Sequence, residues 1–235
     1  MTVLLPLSNH ALATEELVPL MQRYQLMPQL LRHLILDQAL AEVEYSSLDQ
    51  EQFYQQHQLE DAAVRQAWLQ QQDLSPEQVE AQIEQQVKLQ KFQQANWGRR
   101  VNTYFLNRKA QLDQVVCSLI HLQDVGTAWE LYFRIVEAEE SFAELARNYS
   151  QGPEVYAGGI VGPVELGQLH PLLAQQFYGA QPGQIWEPLH VGQWIVLARL
   201  EAYLPAQLDQ TMQQQLLNEL LETWLQEQIS QVSIN

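Results

Sequence analysis

Two segments set the fold of this chain. The first is Ser141-Phe-Ala-Glu-Leu-Ala-Arg-Asn-Tyr-Ser150, and the second is Gly158-Gly159-Ile-Val-Gly162-Pro163-Val164. In the first, Ser141 is placed to cap a helix that carries Phe142, Leu145, Ala146 and Tyr149 at three- and four-residue spacing. In the second, paired glycines open a turn, and the β-branched residues after them read as a strand. Helix, glycine turn and strand follow one another within 24 residues.

The alternation continues outward in both directions. Upstream, Val115–Leu122 is a short apolar run ending at Gln123-Asp124, which predicts a strand. Thr127–Val136 has helical period, with Trp129, Tyr132, Phe133 and Val136 on one side. Downstream, Pro171–Tyr178 reads as a short helix. Pro182-Gly183-Gln-Ile-Trp and Gln193–Leu200 read as two strands joined through His190-Val-Gly192.

The texture changes near residue 112. Residues 14–110 hold one glycine, Gly98, and the other glycines lie between Gly126 and Gly192. The glycine-poor part reads as helices. Thr14 caps one through Arg23. Pro28 opens another carrying Leu30, Leu31, Leu34, Ile35, Ala39 and Val43. Ser47-Leu-Asp-Gln reads as a further cap, followed by Phe53 and Tyr54. Glu60–Gln72 is expected to be helical around Val64, Ala67 and Trp68. Ser75-Pro76-Glu77-Gln78 is the strongest start signal, combining a cap, a first-position proline and a capping box. That helix should reach about Asn96, with Val79, Ile83, Val87 and Leu89 or Gln90 near its buried stripe. Gly98 marks a bend, and Val101–Lys109 continues as helix. After Pro205, Asp209 caps a last helix whose face of Met212, Leu216, Leu217, Leu220, Leu221, Trp224 and Leu225 cannot stand alone in water. It is expected to pack back on the N-terminal helices.

Composition narrows the function classes. The 235 residues are 46% hydrophobic and only 17% charged; 38 glutamines supply the remaining polarity. Such a chain can bury a core, so general disorder is excluded. Twelve basic residues against 28 acidic ones give a net charge of −16, which repels phosphate backbones and argues against nucleic acid as a partner. The single cysteine, Cys117, excludes an internal disulfide and a cysteine zinc cluster. Its place inside a strand speaks against a Cys–His protease. No two histidines stand at metal-ligand spacing on one helix, so no metal or other cofactor is expected. No apolar run approaches a membrane span. The N-terminus Met1-Thr-Val-Leu-Leu-Pro-Leu-Ser lacks a basic segment, and its apolar run breaks at Pro6, so a cytoplasmic address is expected.

The order of elements and five matched segments over residues 113–203 resemble the parvulin (rotamase) family of peptidyl-prolyl cis-trans isomerases. The family reads Phe-x-x-Leu-Ala-x-x-Tyr-Ser, Gly-Gly-Asp-Leu-Gly, Pro-Gly-Glu and Gly-Tyr-His-Ile-Ile in that order. Here Phe142–Ser150, Gly158–Gly162, Pro182-Gly183-Gln184 and Val191–Val196 stand in those places, with Gly167-Gln-Leu-His-Pro-Leu-Leu173 between the second and third. The flanking helices resemble the bacterial parvulin chaperones. The resemblance implies an α+β chain. A parvulin-like domain at 112–204, a four-stranded antiparallel sheet flanked by helices, would sit within an all-α module. That module comprises residues 1–111 and a C-terminal helix in 205–235.

The resemblance also implies a site, and this chain departs from it. The family places two histidines and a Cys or Asp around the twisting amide. Those positions hold Leu119, Trp194 and Gly152. The apolar slot for the proline ring fares better, since Leu169, Leu173 and Tyr178 fall where the family has Met, Phe and Phe. Leu119 and Trp194 then either repack the core without its histidines or line a site that works by shape and desolvation. His121 shares a strand face with Leu119 by alternation. It is either a satisfied rim histidine or a substitute for the missing one. His170 and His190 read as loop residues, and Cys117 as an inert buried thiol facing away from Ser118. The Gln123–Thr127 connection carries no Lys or Arg, so no phosphate preference is implied.

Lys88, Lys91, Arg99, Arg100, Arg108 and Lys109 fall within 22 positions that contain no acid. They are either a solvated helix face or a docking strip for an acidic partner. Two functions follow. One is a parvulin-type foldase or chaperone that binds proline-containing or apolar peptide segments, with weak or lost isomerase activity. The other is a non-enzymatic cytoplasmic adaptor that presents a precursor peptide to a maturation or export system.

Overall fold

The computed structural model describes residues 5–7, 10–12, 14–59, 61, 63–65, 68 and 75–232. In chain order these form β1 (Leu5–Leu7), β2 (His10–Leu12), α1 (Thr14–Arg23), α2 (Met27–Ala41), α3 (Ser47–Gln56), α4 (Pro76–Trp97), α5 (Val101–Leu112), β3 (Gln114–Leu122), α6 (Val125–Val136) and α7 (Phe142–Tyr149). There follow a 3-10 turn at Pro153–Ala157, β4 (Ile160–Glu165), a second at Leu166–Gln168, α8 (Pro171–Phe177), β5 (Ile185–Val191), β6 (Trp194–Leu204) and α9 (Gln210–Val232). The chain divides into two compact units, Met1–Val101 with Gln213–Asn235, and Asn102–Met212. Nearly all of α5 thus falls in the second unit, although its glycine-poor sequence groups it with the helices before it.

Among the described residues of the first unit, the regular elements are helices apart from β1 and β2, which pair antiparallel with Leu5 opposite Leu12. An all-α reading omits this hairpin, because three-residue strands are too short for a period of two to register. The cap of α3 is Ser46, one residue before the expected Ser47. The reciprocal pattern needs its partner three residues on, and Asp49 accepts from the Ser46 backbone N–H at 2.8 Å. Ser75 and Gln78 form the same arrangement at the start of α4. Val79, Ile83 and Val87 of α4 are buried with Phe53, Tyr54 and Leu59. The helix expected over Glu60–Gln72 lies for the most part outside the described residues. From residue 213 onward α9 belongs to this unit. Leu216, Leu217, Leu221 and Leu225 are buried, and the Trp224 ring lies 5.3 Å from that of Phe92. Arg32 forms an ion pair with Glu222, and buried Gln93 bonds to Asn218 at 2.9 Å.

The second unit is built on an antiparallel sheet in the order β4-β3-β6-β5. Two bulges fall on the partners of β3. Between Val115 and Cys117 the chain of β4 moves three residues, from Val164 to Val161, and β6 inserts one between Ala202 and Leu200. The alternation of β3 therefore runs unbroken. Ile120 and Leu122 face Ala128 and Leu131 of α6 and Phe142, Leu145 and Ala146 of α7. Val115, Cys117 and Leu119 face Leu166, and Leu173 and Phe177 of α8. Asp113 closes the open end of the sheet, accepting at 2.7 Å from Lys109, from the Tyr203 hydroxyl and from the Ala206 backbone N–H.

Candidate functional site

The site grows from the face of β3 that carries Leu119. Register places Leu119 opposite Ala198 and His121 opposite Val196, with Trp194 two residues further along β6 on the same face. Leu119 and Leu173 are buried; Leu169 and Trp194 are half-buried and pack on the same cluster. Phe177 braces it from behind, edge-on to Trp186 at 5.1 Å. Four of the five expected slot residues thus meet on one apolar surface. Tyr178 does not. It ends α8, is 61% exposed, and its buried neighbour Phe177 takes the inward position. The resemblance aligned Tyr178 alone, and only the helical phase of α8 decides that its neighbour Phe177 turns in. Beside Leu169, a crevice of about 340 Å³ is lined by Gln111, Leu166, Gly167, Pro171 and Ala174.

Leu119 and Trp194, expected from the resemblance at the histidine positions, are not direct cross-strand neighbours. The His121–Val196 pair lies between Leu119 and Trp194 on that face. His121 is central, and the Trp194 ring meets it edge-on at 6.0 Å.

The glycine pair explains what surrounds His121. Gly158 and Gly159 both have positive φ, +62° and +89°. A Cβ on Gly159 would lie 3.0 Å from the Leu119 carbonyl oxygen and the Ala146 Cβ. Without side chains the turn can dock, and the Gly159 carbonyl accepts from the Leu119 N–H at 2.8 Å. One turn back, the Gln151 N–H donates to the His121 carbonyl at 2.9 Å, and the His121 N–H donates to Ser150 Oγ at 3.0 Å. The whole 150–159 segment is thereby held along β3.

That segment delivers a carboxylate which sequence reasoning missed. Glu154 is only 6% exposed. It accepts from Ser150 Oγ and lies 2.8 Å from His121 Nδ1. Burial alone would raise its pKa, but the bonds from His121 and Ser150 more than offset this and hold it below the ordinary glutamate value. An ionised carboxylate can only accept, so the network assigns a proton to Nδ1 of His121. Nε2 has no hydrogen-bond partner among the described residues, and the His121 side chain is 20% exposed. A Cβ on Gly152 would lie 2.7 Å from the Glu154 carboxyl carbon. The Glu154 carboxylate thus fills the space that a side chain at 152 would enter. The available signal was an acid two residues after an unexpected glycine.

The other singled-out residues lie elsewhere. Cys117 is fully buried, and burial pushes its thiol up to about 12. Ser118, on the opposite face of the strand, donates to Glu201. His170 caps α8 and is exposed; His190, expected in a loop, sits on β5 opposite Ile195. In the helical unit Lys88 pairs with Glu84 and Lys91 with Asp49, each at 2.7 Å. Arg99 and Arg100 are exposed. The basic strip is thus partly neutralised within its own unit. Among the described residues no group of three His, Cys, Asp or Glu side chains is placed to hold a metal ion, and no helix is long and apolar enough to cross a membrane.

Comparison with known proteins follows this geometry. The pattern of the family described as Rotamase: PPIC-type PPIASE domain matches residues 126–202. No curated protein matches the chain. Among solved structures, a PpiC-type peptidyl-prolyl cis-trans isomerase domain is 22% identical, with 43% of this chain and 99% of that one covered and a TM-score of 0.38. The peptidylprolyl isomerase PrsA of Bacillus anthracis is 18% identical over 88% of this chain and 98% of its own, at 0.46. A SurA-like chaperone of Campylobacter jejuni is 14% identical over 99% and 95%, at 0.38. Residues 126–202, which run from α6 through α7, the glycine turn, β4, α8 and β5 into β6, thus match the PPIC-type peptidyl-prolyl isomerase domain.

Proposed function

We propose that this protein is a parvulin-type foldase or chaperone that binds proline-containing or apolar peptide segments on the surface formed by Leu119, Leu169, Leu173 and Trp194. The observation that carries the reading is the convergence of Leu169, Leu173 and Trp194, all within the matched residues 126–202, with Leu119 of β3 in one apolar cluster on that face of the sheet. Half-buried Leu169 and Trp194 leave apolar area for a ligand, and Leu119 and Leu173 form its floor. Prolyl isomerisation needs no cofactor. It must lower a barrier of roughly 18–20 kcal/mol that comes from amide resonance. Apolar walls favour the less polar, twisted amide, whereas two of the three polar family positions carry apolar side chains and the third is glycine. Turnover on short Xaa-Pro peptides is therefore expected on the order of a hundredfold below that of a fully equipped parvulin.

Leu119 and Trp194 also favour a second reading, a binding module without turnover that presents a precursor peptide for maturation or export. NMR exchange on Xaa-Pro peptides, run beside a binding titration, separates the two. Binding with slow but catalysed exchange supports the foldase, and binding without exchange supports the adaptor. A chain that binds neither Xaa-Pro nor apolar peptides refutes both.

A further inference from the structure

We propose that the polar centre of this domain has been relocated. Glu154 supplies from a neighbouring position the carboxylate for which Gly152 has no side chain, and it positions His121 to act on the twisting amide. The inference rests on the reading of the Leu119–Trp194 surface as a peptide site. It goes beyond that reading by assigning the residual turnover to named groups.

Three observations converge. First, Glu154 is a buried carboxylate that is neither an ion-pair partner of a Lys or Arg nor a helix cap. Its side chain is spent on Ser150 and His121. Burying a charge is expensive, and a glutamine or an apolar residue would fill the same space without that penalty. Second, the carboxylate occupies the volume that a side chain on Gly152 would enter, on the flank of the apolar surface. Third, His121 lies between Leu119 and Trp194 on the same face, with Nδ1 engaged and Nε2 left without a partner among the described residues.

The chemistry follows from amide resonance. In the planar peptide the carbonyl oxygen carries extra negative charge and the nitrogen lone pair is delocalised. Twisting the C–N bond returns the lone pair to nitrogen and removes charge from oxygen. In the tautomer that donates from Nδ1 to Glu154, His121 presents the electron-rich Nε2. Beside a carbonyl oxygen, that lone pair and the carboxylate behind it raise the planar state relative to the twisted one. No bond to carbon forms and no proton is transferred. His121 is the group that meets the substrate; Glu154 and Ser150 are positioning residues.

The test uses the full-length protein and NMR exchange on a Xaa-Pro tetrapeptide, giving kcat and KM for wild type and variants, with thermal melts to confirm folding. His121→Phe and Glu154→Ala should each lower kcat at least about tenfold, with KM changed less than about twofold. Gly152→Asp introduced into Glu154→Ala should restore much of the lost kcat. Gly152 has extended backbone, φ −91° and ψ 170°, and its new carboxylate would enter the space that Glu154 has vacated. A purely packing role would predict altered melts or KM and no recovery of kcat. If Glu154→Ala does not fold, His121→Phe, which leaves the Glu154–Ser150 bond intact, decides. Wild-type kcat in His121→Phe overturns the proposal, as does a loss confined to KM. Wild type that binds the peptide but shows no catalysed exchange overturns it while leaving the peptide site standing. Absence of binding refutes the peptide site itself, and the relocated centre with it.

Discussion

The two faces of β3 are made by one nine-residue strand and differ in kind. On one, Ile120 and Leu122 meet α6 and α7 and are sealed: Phe142, Leu145 and Ala146 are at most 1% exposed. On the other, Leu119 is sealed but its neighbours Leu169 and Trp194 are half-open, and His121 brings a buried carboxylate with it. The closed face does only what a core must do. The open one keeps apolar area uncovered, which contributes nothing to the core, and pairs it with a carboxylate held by His121 and Ser150. A face left partly open can thus be told from a closed core face within a single strand.

The sharpest way to break this comparison is to damage the closed face. Leu145 is fully buried between α7 and the sheet, so Leu145→Ala should destabilise the domain by about 2–5 kcal/mol. Peptide affinity per folded molecule should be unchanged. Chemical denaturation followed by titration of the folded fraction checks both. A destabilisation below about 1 kcal/mol would mean that the face is not the closed core described here.

Truncation on the open face should do the reverse. Leu169→Ala removes half-exposed apolar area and should weaken peptide binding about three- to tenfold, with stability changed by less than about 1.5 kcal/mol. Tyr178→Ala serves as the control. That ring is 61% exposed and outside the cluster, so binding should stay within about twofold of wild type. A larger loss from Tyr178 than from Leu169 would return the slot to the family's aromatic pattern and displace the surface proposed here.

The smallest effect concerns pH. Asp113 and Glu154 both titrate below their ordinary values in the folded state. For each, burial pushes the pKa up, and the hydrogen bonds it accepts more than reverse the push. A depressed folded pKa contributes stability that is fully present above the unfolded value and is lost as pH falls through the folded one. Thermal stability should therefore change little from pH 7 to about 5 on account of these groups and decline below about pH 4.5. Asp113→Asn should flatten part of that decline, read as melting temperature against pH. An unchanged slope would show that Asp113 is not one of the groups responsible.

Much of the domain was legible because local signals agree with the final packing. Ser141 and Ser75 announce helix starts through side-chain caps that act within three residues, whereas Asp124, read only as the end of a strand, also caps a helix that begins at Val125, two residues before the expected Thr127. The glycine pair announces a turn that only residues without a Cβ can make here. Alternation along β3 puts His121 on the face of Leu119. The hairpin of β1 and β2 was not legible, because its strands are too short to show a period. Ser46 displaced Ser47 as a cap by one residue, since adjacent serines look alike until the bond to Asp49 is drawn.

The site divides in the same way. By itself the sequence carried the resemblance to the parvulin family and, through it, the expectations that Leu119, Gly152 and Trp194 stand where that family has polar groups and that an apolar surface of leucines remains. These are properties of single positions and of periods along the chain. Only the tertiary structure decided that Phe177 turns in while Tyr178 turns out, that His121 lies between Leu119 and Trp194, and that Glu154 reaches the space beside Gly152. Each of these depends on where a 3-10 turn or a short helix is laid against the sheet. That placement is fixed by hydrogen bonds between residues about 30 apart, from the His121 N–H to Ser150 and from Gln151 to the His121 carbonyl. Spacing along a chain cannot encode it, because a carboxylate brought in by a neighbouring turn occupies the same volume as one carried at the position itself.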